Sequence, residues 1–277
     1  MSAALTVDEA MQQAKAQGVD RLDAQLLLAH VAAQPRSWVI AHGEAVLSET
    51  QALAWHDGLA RRAGGEPLAY VLGEKEFHGL RLQVNAAVLV PRPDTEVLVD
   101  WALALLSGAL RHVATPRVID LGTGSGAIAL AVKHERPDAS VLATDVSSDA
   151  LDVARANAQR LRLDVVLQAG SWWAALGGER FDLALSNPPY IAAGDPHLPA
   201  LRHEPTVALT PGGDGRGALR EVIAGAEEHL VPGGWLLLEH GHDQADAVQS
   251  LLRDHGFASI ETRRDLGGHP RCTGGHR

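Results

Sequence analysis

The chain is short of cysteine, of basic charge and of long apolar runs, and each shortage removes a class of protein. Its single cysteine, Cys272, cannot form an internal disulfide, so nothing calls for an oxidising compartment. Lys and Arg number 24 against 34 Asp and Glu, a net charge of −10. That is the wrong sign for a protein whose affinity comes from neutralising phosphates, so no stable nucleic-acid partner is expected. The first twenty residues have neither a basic start nor an apolar leader core, and no later segment approaches the apolar length that crosses a bilayer. A cytoplasmic protein without a membrane partner is the expectation, with a monomer as the default. The 14 histidines include His240-x-His242, but no set of three or four ligands has zinc-site spacing, and no metal is expected. Internal repeats and low-complexity tracts are absent. What is present is 46% hydrophobic residues with 28 Gly and 14 Pro in 277 residues, the profile of a globular chain long enough for two domains.

Residues 7 to about 62 read as helices only. Leu22, Leu26, Ala29 and Val31 recur at helical spacing, and Ser48-Glu49-Thr50 opens a further helix that Gly64, Gly65 and Pro67 close. Leu80, Leu82 and Val84 alternate with polar residues, and Val88 and Val90 follow Ala86-Ala87, which predicts a hairpin linking two domains. The boundaries read from this are a helical domain over 1–75, a hairpin linker over 76–90 and an α/β domain over 91–277. Within the last, strand-like runs at Arg117–Leu121, Ser140–Asp145, Val165–Gln168, Phe181–Ser186 and Trp235–Glu239 alternate with helical patterns at about 126–135, 148–162 and 216–230. Such alternation predicts a doubly wound parallel sheet that binds its ligand beyond the carboxyl ends of the strands. The proline-rich and glycine-rich stretch from Ile191 to Gly215 has the length of a functional loop.

The first strand of that region ends in Asp120-Leu121-Gly122-Thr123-Gly124-Ser125-Gly126 and runs directly into a helix. Glycines let the backbone turn sharply and approach a ligand with no Cβ in the way. Their spacing, with Asp145 at the end of the next strand, satisfies both a dinucleotide fingerprint and an S-adenosylmethionine site. The third glycine and the acid at Asp120 favour the latter, since a pyrophosphate is repelled by that acid and a sulfonium with an ammonium group is not. A purely structural turn is the bland alternative. Asp145 can accept the ribose hydroxyls or cap a helix. Trp172 and Trp173 offer an indole to an adenine ring, or ordinary packing.

The strand Phe181–Ser186 runs into Asn187-Pro188-Pro189-Tyr190. An amide nitrogen is a poor nucleophile because its lone pair is delocalised, so a catalyst must hold it in line with the methyl donor and engage its two N–H bonds. The Asn187 side-chain oxygen and the Pro188 carbonyl can accept them, the prolines fix φ and supply no competing donor, and Tyr190 can stack on the planar group. A plain Pro-Pro turn at a strand end is the alternative. The PRPDTE segment at 91–96 reads either as a helix start or, through Arg92 and Glu96, as a border of the cofactor site; Glu204-Pro205 is similarly open.

Taken together, PRPDTE at 91–96, DLGTGSGAIAL at 120–130, SNPPYI at 186–191, the EP and AL pairs at 204–205 and 208–209, LLLEHG at 236–241 and DLGGHPR at 265–271 resemble the release-factor glutamine N5-methyltransferases. The likeness spans nearly the whole chain. It implies a class I methyltransferase fold of Rossmann-like, doubly wound α/β type, with a helical N-terminal domain that helps grip the substrate. It implies methylation, with S-adenosylmethionine converted to S-adenosylhomocysteine, of the glutamine in the Gly-Gly-Gln loop of class 1 peptide-chain release factors. Gly122, Thr123, Gly124, Ser125, Gly126, Asp145, Trp172 and Asn187 are then the cofactor contacts, and Asn187, Pro188, Pro189 and Tyr190 receive the glutamine. Two departures stand out: Ser171 occupies a position that is often acidic in related methyltransferases, and the loop from His197 to Glu204 is shorter than the family pattern. The rivals are a ribosomal-protein glutamine methyltransferase, an enzyme for adenine N6 or cytosine N4 amino groups in DNA, and a non-catalytic S-adenosylmethionine sensor. A flipped base calls for a basic face, which −10 argues against, and an intact Asn187 argues against the sensor.

Overall fold

The computed structural model describes residues 5–277, so the first four residues of the expected helical domain lie outside the described residues. Two compact units divide between Glu74 and Lys75. The first holds α1 (Val7–Ala16), α2 (Arg21–Ala32), α3 (Arg36–Ala41), α4 (Glu49–Ala63) and α5 (Leu68–Leu72). Local chemistry starts two of them: Thr6 with Glu9 and Ser48 with Gln51 each form a reciprocal capping box. Their inward faces bury Leu27, Leu28, Trp55 and Leu59 in one core, where the Trp55 indole N–H donates to Gln13 Oε1 at 3.0 Å.

A two-stranded hairpin follows, β1 (Glu74–Phe77) and β2 (Leu80–Gln83). Here the structure corrects the expected hairpin. The turn is at His78-Gly79, both at positive φ (47° and 75°), and not at Ala86-Ala87; residues 84–90 form no strand. A two-residue turn with both φ values positive matches the twist of the flanking strands, and Gly79 removes half of its steric cost.

The second unit continues with α6 (Glu96–Ser107), β3 (Arg117–Leu121), α7 (Ala127–Glu135), β4 (Ser140–Asp145), α8 (Ser148–Leu161), β5 (Val166–Ala169), β6 (Phe181–Ser186), α9 (Thr206–Leu209), α10 (Gly217–His229), β7 (Leu230–Glu239), α11 (Ala245–Asp254), β8 (Ala258–Arg264) and β9 (Pro270–His276). The seven strands lie in the order β5-β4-β3-β6-β7-β9-β8. The first five are parallel, as expected, but β9 is antiparallel to both β7 and β8, so the sheet is mixed. The alternation of side chains divides the core between the two faces. Val118, Leu183, Leu185 and Leu237 point to the layer of α6, α7 and the hairpin, whereas Ile119, Ala184, Leu236 and Leu238 meet α10 and α11. β3 and β6 are neighbours whose chain connections leave in opposite directions, β3 towards β4 and β6 towards β7. Such a reversal opens a crevice at the carboxyl ends of the strands, where Leu121, Asp145 and Ser186 terminate.

Candidate functional site

The turn after β3 is a cradle of main-chain atoms. Gly122, Gly124 and Gly126 all have positive φ (74°, 55° and 85°), and a Cβ on Gly122 would lie 3.1 Å from the Trp172 ring. Both Gly122 N–H and Thr123 N–H donate to the Thr144 carbonyl at 2.9 Å. The Asp145 carboxylate then ties the turn to the next strand: Oδ2 accepts from Gly124 N at 2.8 Å and Oδ1 from Ser147 N at 2.9 Å. Each oxygen keeps a second lone pair for a ligand hydroxyl. Asn157, on α8, adds a tie that the sequence did not disclose, donating to the Ser125 and Gln83 carbonyls at 3.0 Å while accepting from Gln83 N at 2.7 Å.

Asp120 has a different place from the one its position at the strand end suggests. It is fully buried beneath the turn, accepts from Thr123 Oγ1 at 2.6 Å and Ala129 N at 3.2 Å, and does not line the cavity above. Burial raises its pKa to about 7, against the opposing pull of those two hydrogen bonds. It braces the turn and the start of α7, and the argument from its charge towards a cationic ligand loses its footing.

That cavity has a volume of about 470 Å³, within the range of small-molecule sites. Gly122, Thr123, Gly124, Ser125, Asp145, Trp172, Asn187 and Pro189 all border it, together with Arg92, Thr95 and part of the loop from Pro205 to Pro211. Gly126 lies just behind as the N-cap of α7, and neither Pro188, which is buried, nor Tyr190 is in the lining. The tryptophan pair separates cleanly. Trp172 faces the cavity at a positive φ of 48°, whereas Trp173 stacks on His229 with ring centroids 5.0 Å apart and donates to the Val222 carbonyl at 2.8 Å. Trp173 is packing.

At the end of β6, Ser186 Oγ donates to the Leu121 carbonyl at 2.7 Å and locks the two central strand ends together. Asn187 Nδ2 donates to Thr95 Oγ1 at 3.2 Å, and the Tyr190 hydroxyl to Glu239 Oε1 at 3.3 Å. Gln244 Nε2 donates to the Tyr190 carbonyl at 3.1 Å, and Gly215, at φ 75°, has no room for a Cβ, which would stand 2.5 Å from that oxygen. Burial, with the Glu239 carboxylate next, pushes the Tyr190 phenol well above its ordinary pKa, so it stays a donor. Burial likewise raises Glu239 to about 7. Of the PRPDTE residues, Arg92 borders the cavity and pairs with the buried Glu204, which also accepts from Val90 N at 3.0 Å. Glu96 instead accepts from His78 N at 3.0 Å and anchors the hairpin, at the start of α6. His240 is buried against Thr273 and the Gly241 carbonyl, and among the described residues no three His, Cys, Asp or Glu groups converge as metal ligands.

The comparisons with known proteins meet this geometry. A family model described as "Methyltransferase small domain" matches residues 95–216, and one described as "PrmC N-terminal domain" matches 7–73. A "Release factor glutamine methyltransferase" of Xylella fastidiosa is 48% identical over 96% of this chain and 96% of its own. The chain belongs to the release factor glutamine methyltransferase family. A second member, from Bordetella pertussis, is 48% identical over 94% of this chain and 96% of its own. The fold also resembles that of a 16S rRNA N2 methyltransferase of T. thermophilus solved in complex with AdoMet and guanosine, with a TM-score of 0.54 at 18% identity over 74% of this chain and 49% of the other. Membership in the methyltransferase family agrees with the mixed sheet and helical N-terminal unit, and none of the described helices is long and apolar enough to cross a membrane.

Proposed function

We propose that this release factor glutamine methyltransferase holds S-adenosylmethionine over the turn from Gly122 to Gly126 and presents the side-chain amide of a Gly-Gly-Gln glutamine at Asn187-Pro188. The observation that carries the reading is that the glycine turn, Asp145, Trp172 and Asn187 border a single cavity. The fit to the cofactor rests on the same wall: open space stands above Gly124, where a Cβ would meet nothing within 4 Å, and Asp145 keeps acceptor capacity beside it.

S-adenosylmethionine supplies an electrophilic methyl group on a sulfonium centre. The protein's part is position. Asn187 Oδ1 and the Pro188 carbonyl accept the two amide N–H bonds of the glutamine, which localises the nitrogen lone pair and aims it. Tyr190, fixed through Glu239, flanks the planar group. Holding two reactants in line supplies most of the acceleration, and acceptors matched to a nitrogen that becomes cationic supply the next share. Once methylated, that nitrogen is acidic and loses its proton without a dedicated base. The helical unit is read as a grip on the protein substrate, and the place of action as the cytoplasm, where release factors work.

The test is mass spectrometry of an unmodified class 1 release factor after incubation with this protein and S-adenosylmethionine, beside a Gly-Gly-Ala variant of the same factor. One added methyl group on the glutamine peptide, absent from the variant, is the expected result. No methyl transfer, with cofactor binding shown separately, would overturn the assignment.

A further inference from the structure

Two successive prolines leave the centre of the Asn-Pro-Pro-Tyr segment without main-chain donors, since neither Pro188 nor Pro189 has an N–H. The direction of the Pro188 carbonyl therefore depends on what holds the segment at its two ends. At the near end, Ser186 closes β6 against β3 through the Leu121 carbonyl. At the far end both handles are on Tyr190. Its hydroxyl donates to Glu239 Oε1 at 3.3 Å, and its main-chain carbonyl accepts from Gln244 Nε2 at 3.1 Å.

Gln244 is itself held firmly. It is buried at the head of α11, a helix anchored in the core by Val248 and Leu252. Its main-chain N–H donates to the Gly241 carbonyl at 2.9 Å, and the Gly241 N–H donates back to its Oε1 at 3.0 Å, so main chain and side chain close on the same residue. Both partners of the carboxamide are main-chain groups of fixed sense. The Gly241 N–H can only donate and the Tyr190 carbonyl can only accept, which leaves one arrangement of the amide oxygen and nitrogen. The NH2 group is thereby committed to Tyr190.

We propose that Gln244 is a positioning residue for methyl transfer: by holding the Tyr190 carbonyl it sets the Tyr190 ring and the Pro188 carbonyl against the substrate amide. Glu239 ends β7, the neighbour of β6 in the sheet, and Gln244 follows five residues later, so one strand end carries both supports of Tyr190. This rests on the proposed presentation of a glutamine amide at Asn187-Pro188.

The experiment compares wild type with Gln244→Glu and Gln244→Met in release-factor methylation at about pH 8.5, with S-adenosylmethionine affinity and thermal stability measured on each. Glutamate keeps the length and the acceptor for the Gly241 N–H, and its charge suits the start of α11, but as a carboxylate it cannot donate to Tyr190. Methionine keeps the volume alone. The positioning role requires kcat to fall on the order of tenfold or more in both variants, the loss of about one orienting hydrogen bond. The melting temperature should stay near wild type in Gln244→Glu and fall in Gln244→Met. Cofactor affinity should stay within about threefold in both, because neither Tyr190 nor Gln244 borders the cofactor cavity. A purely structural role would make activity follow the melting temperature, with Gln244→Glu active and Gln244→Met impaired. That order would overturn the inference, as would wild-type kcat in both variants. A wild type that leaves the release factor unmethylated would overturn the assignment of substrate and this inference with it, which separates the two failures.

Discussion

The two central strand ends solve the same problem, holding a reactant, by opposite means. After β3 the cradle is main chain: three glycines at positive φ, braced by Asp120, Thr123, Thr144 and Asp145. These supports lie within 25 residues of one another. After β6 the working groups are largely side chains, and their supports are remote: Thr95 is 92 residues from Asn187, and Glu239 is 49 from Tyr190. A backbone cradle tolerates change outside it but no added Cβ within it. A side-chain site tolerates modest changes of shape but depends on the donor and acceptor sense of groups supplied by other elements.

Three substitutions would break or sharpen this contrast. The largest effect is expected from Asn187→Ala, which removes an acceptor at a strand end and little core volume: methyl transfer should fall on the order of a thousandfold with the melting temperature nearly unchanged. Assay of turnover beside a thermal melt checks it, and wild-type turnover in the variant would remove Asn187 from the mechanism. Gly122→Ala places a Cβ 3.1 Å from the Trp172 ring at φ 74°. The left-handed strain of about 1–2 kcal/mol and the displaced indole should weaken S-adenosylmethionine binding by roughly tenfold, read by calorimetry, and lower stability as well. An unaltered affinity would mean that the turn yields without cost and does not meet the cofactor closely.

The smallest effect, and the most diagnostic of the brace, is expected from Asp120→Asn. Burial holds the folded pKa of Asp120 near 7, above its ordinary value of 3.8. The folded state therefore binds more protons than the unfolded state between about pH 4 and 7, and the stability conferred by this group falls as pH rises through that window. Asparagine carries no such charge and can still accept from Thr123 and Ala129. The change in melting temperature on Asp120→Asn should thus be more favourable to the variant at pH 8 than at pH 5. Parallel curves would show that Asp120 ionises normally.

The contrast also explains what could be read in advance. The strands β3, β4 and β6, the helices between them and the glycine turn were legible because apolar runs and glycine spacing are local signals. So were the positions that gather round the cavity at Asp145, Trp172 and Asn187. β8 and β9 escaped notice: Ala258–Arg264 mixes charged with apolar residues, and Pro270–His276 contains Gly274-Gly275, where strand propensity is weak. The hairpin turn was misplaced because His78-Gly79 is a less familiar pair for positive φ than Asn-Gly, and the regular alternation drew the strand too far. Trp172 and Trp173 could be named, but nothing in two adjacent indoles tells which one enters a cavity and which one packs on His229.

By itself the sequence determined the class of chain, the α/β alternation, the main-chain cradle and the Asn-Pro-Pro-Tyr segment, because each rests on periodicity, φ preference or side-chain chemistry within a short window. Only the tertiary structure decided that Asp120 is a buried brace, that Arg92 and Glu204 pair across 112 residues, and that Thr95 and Glu239 stand behind Asn187 and Tyr190. The physical reason is that hydrogen-bond direction and the ionisation of a buried acid depend on groups brought together by packing, and sequence separation carries no trace of them.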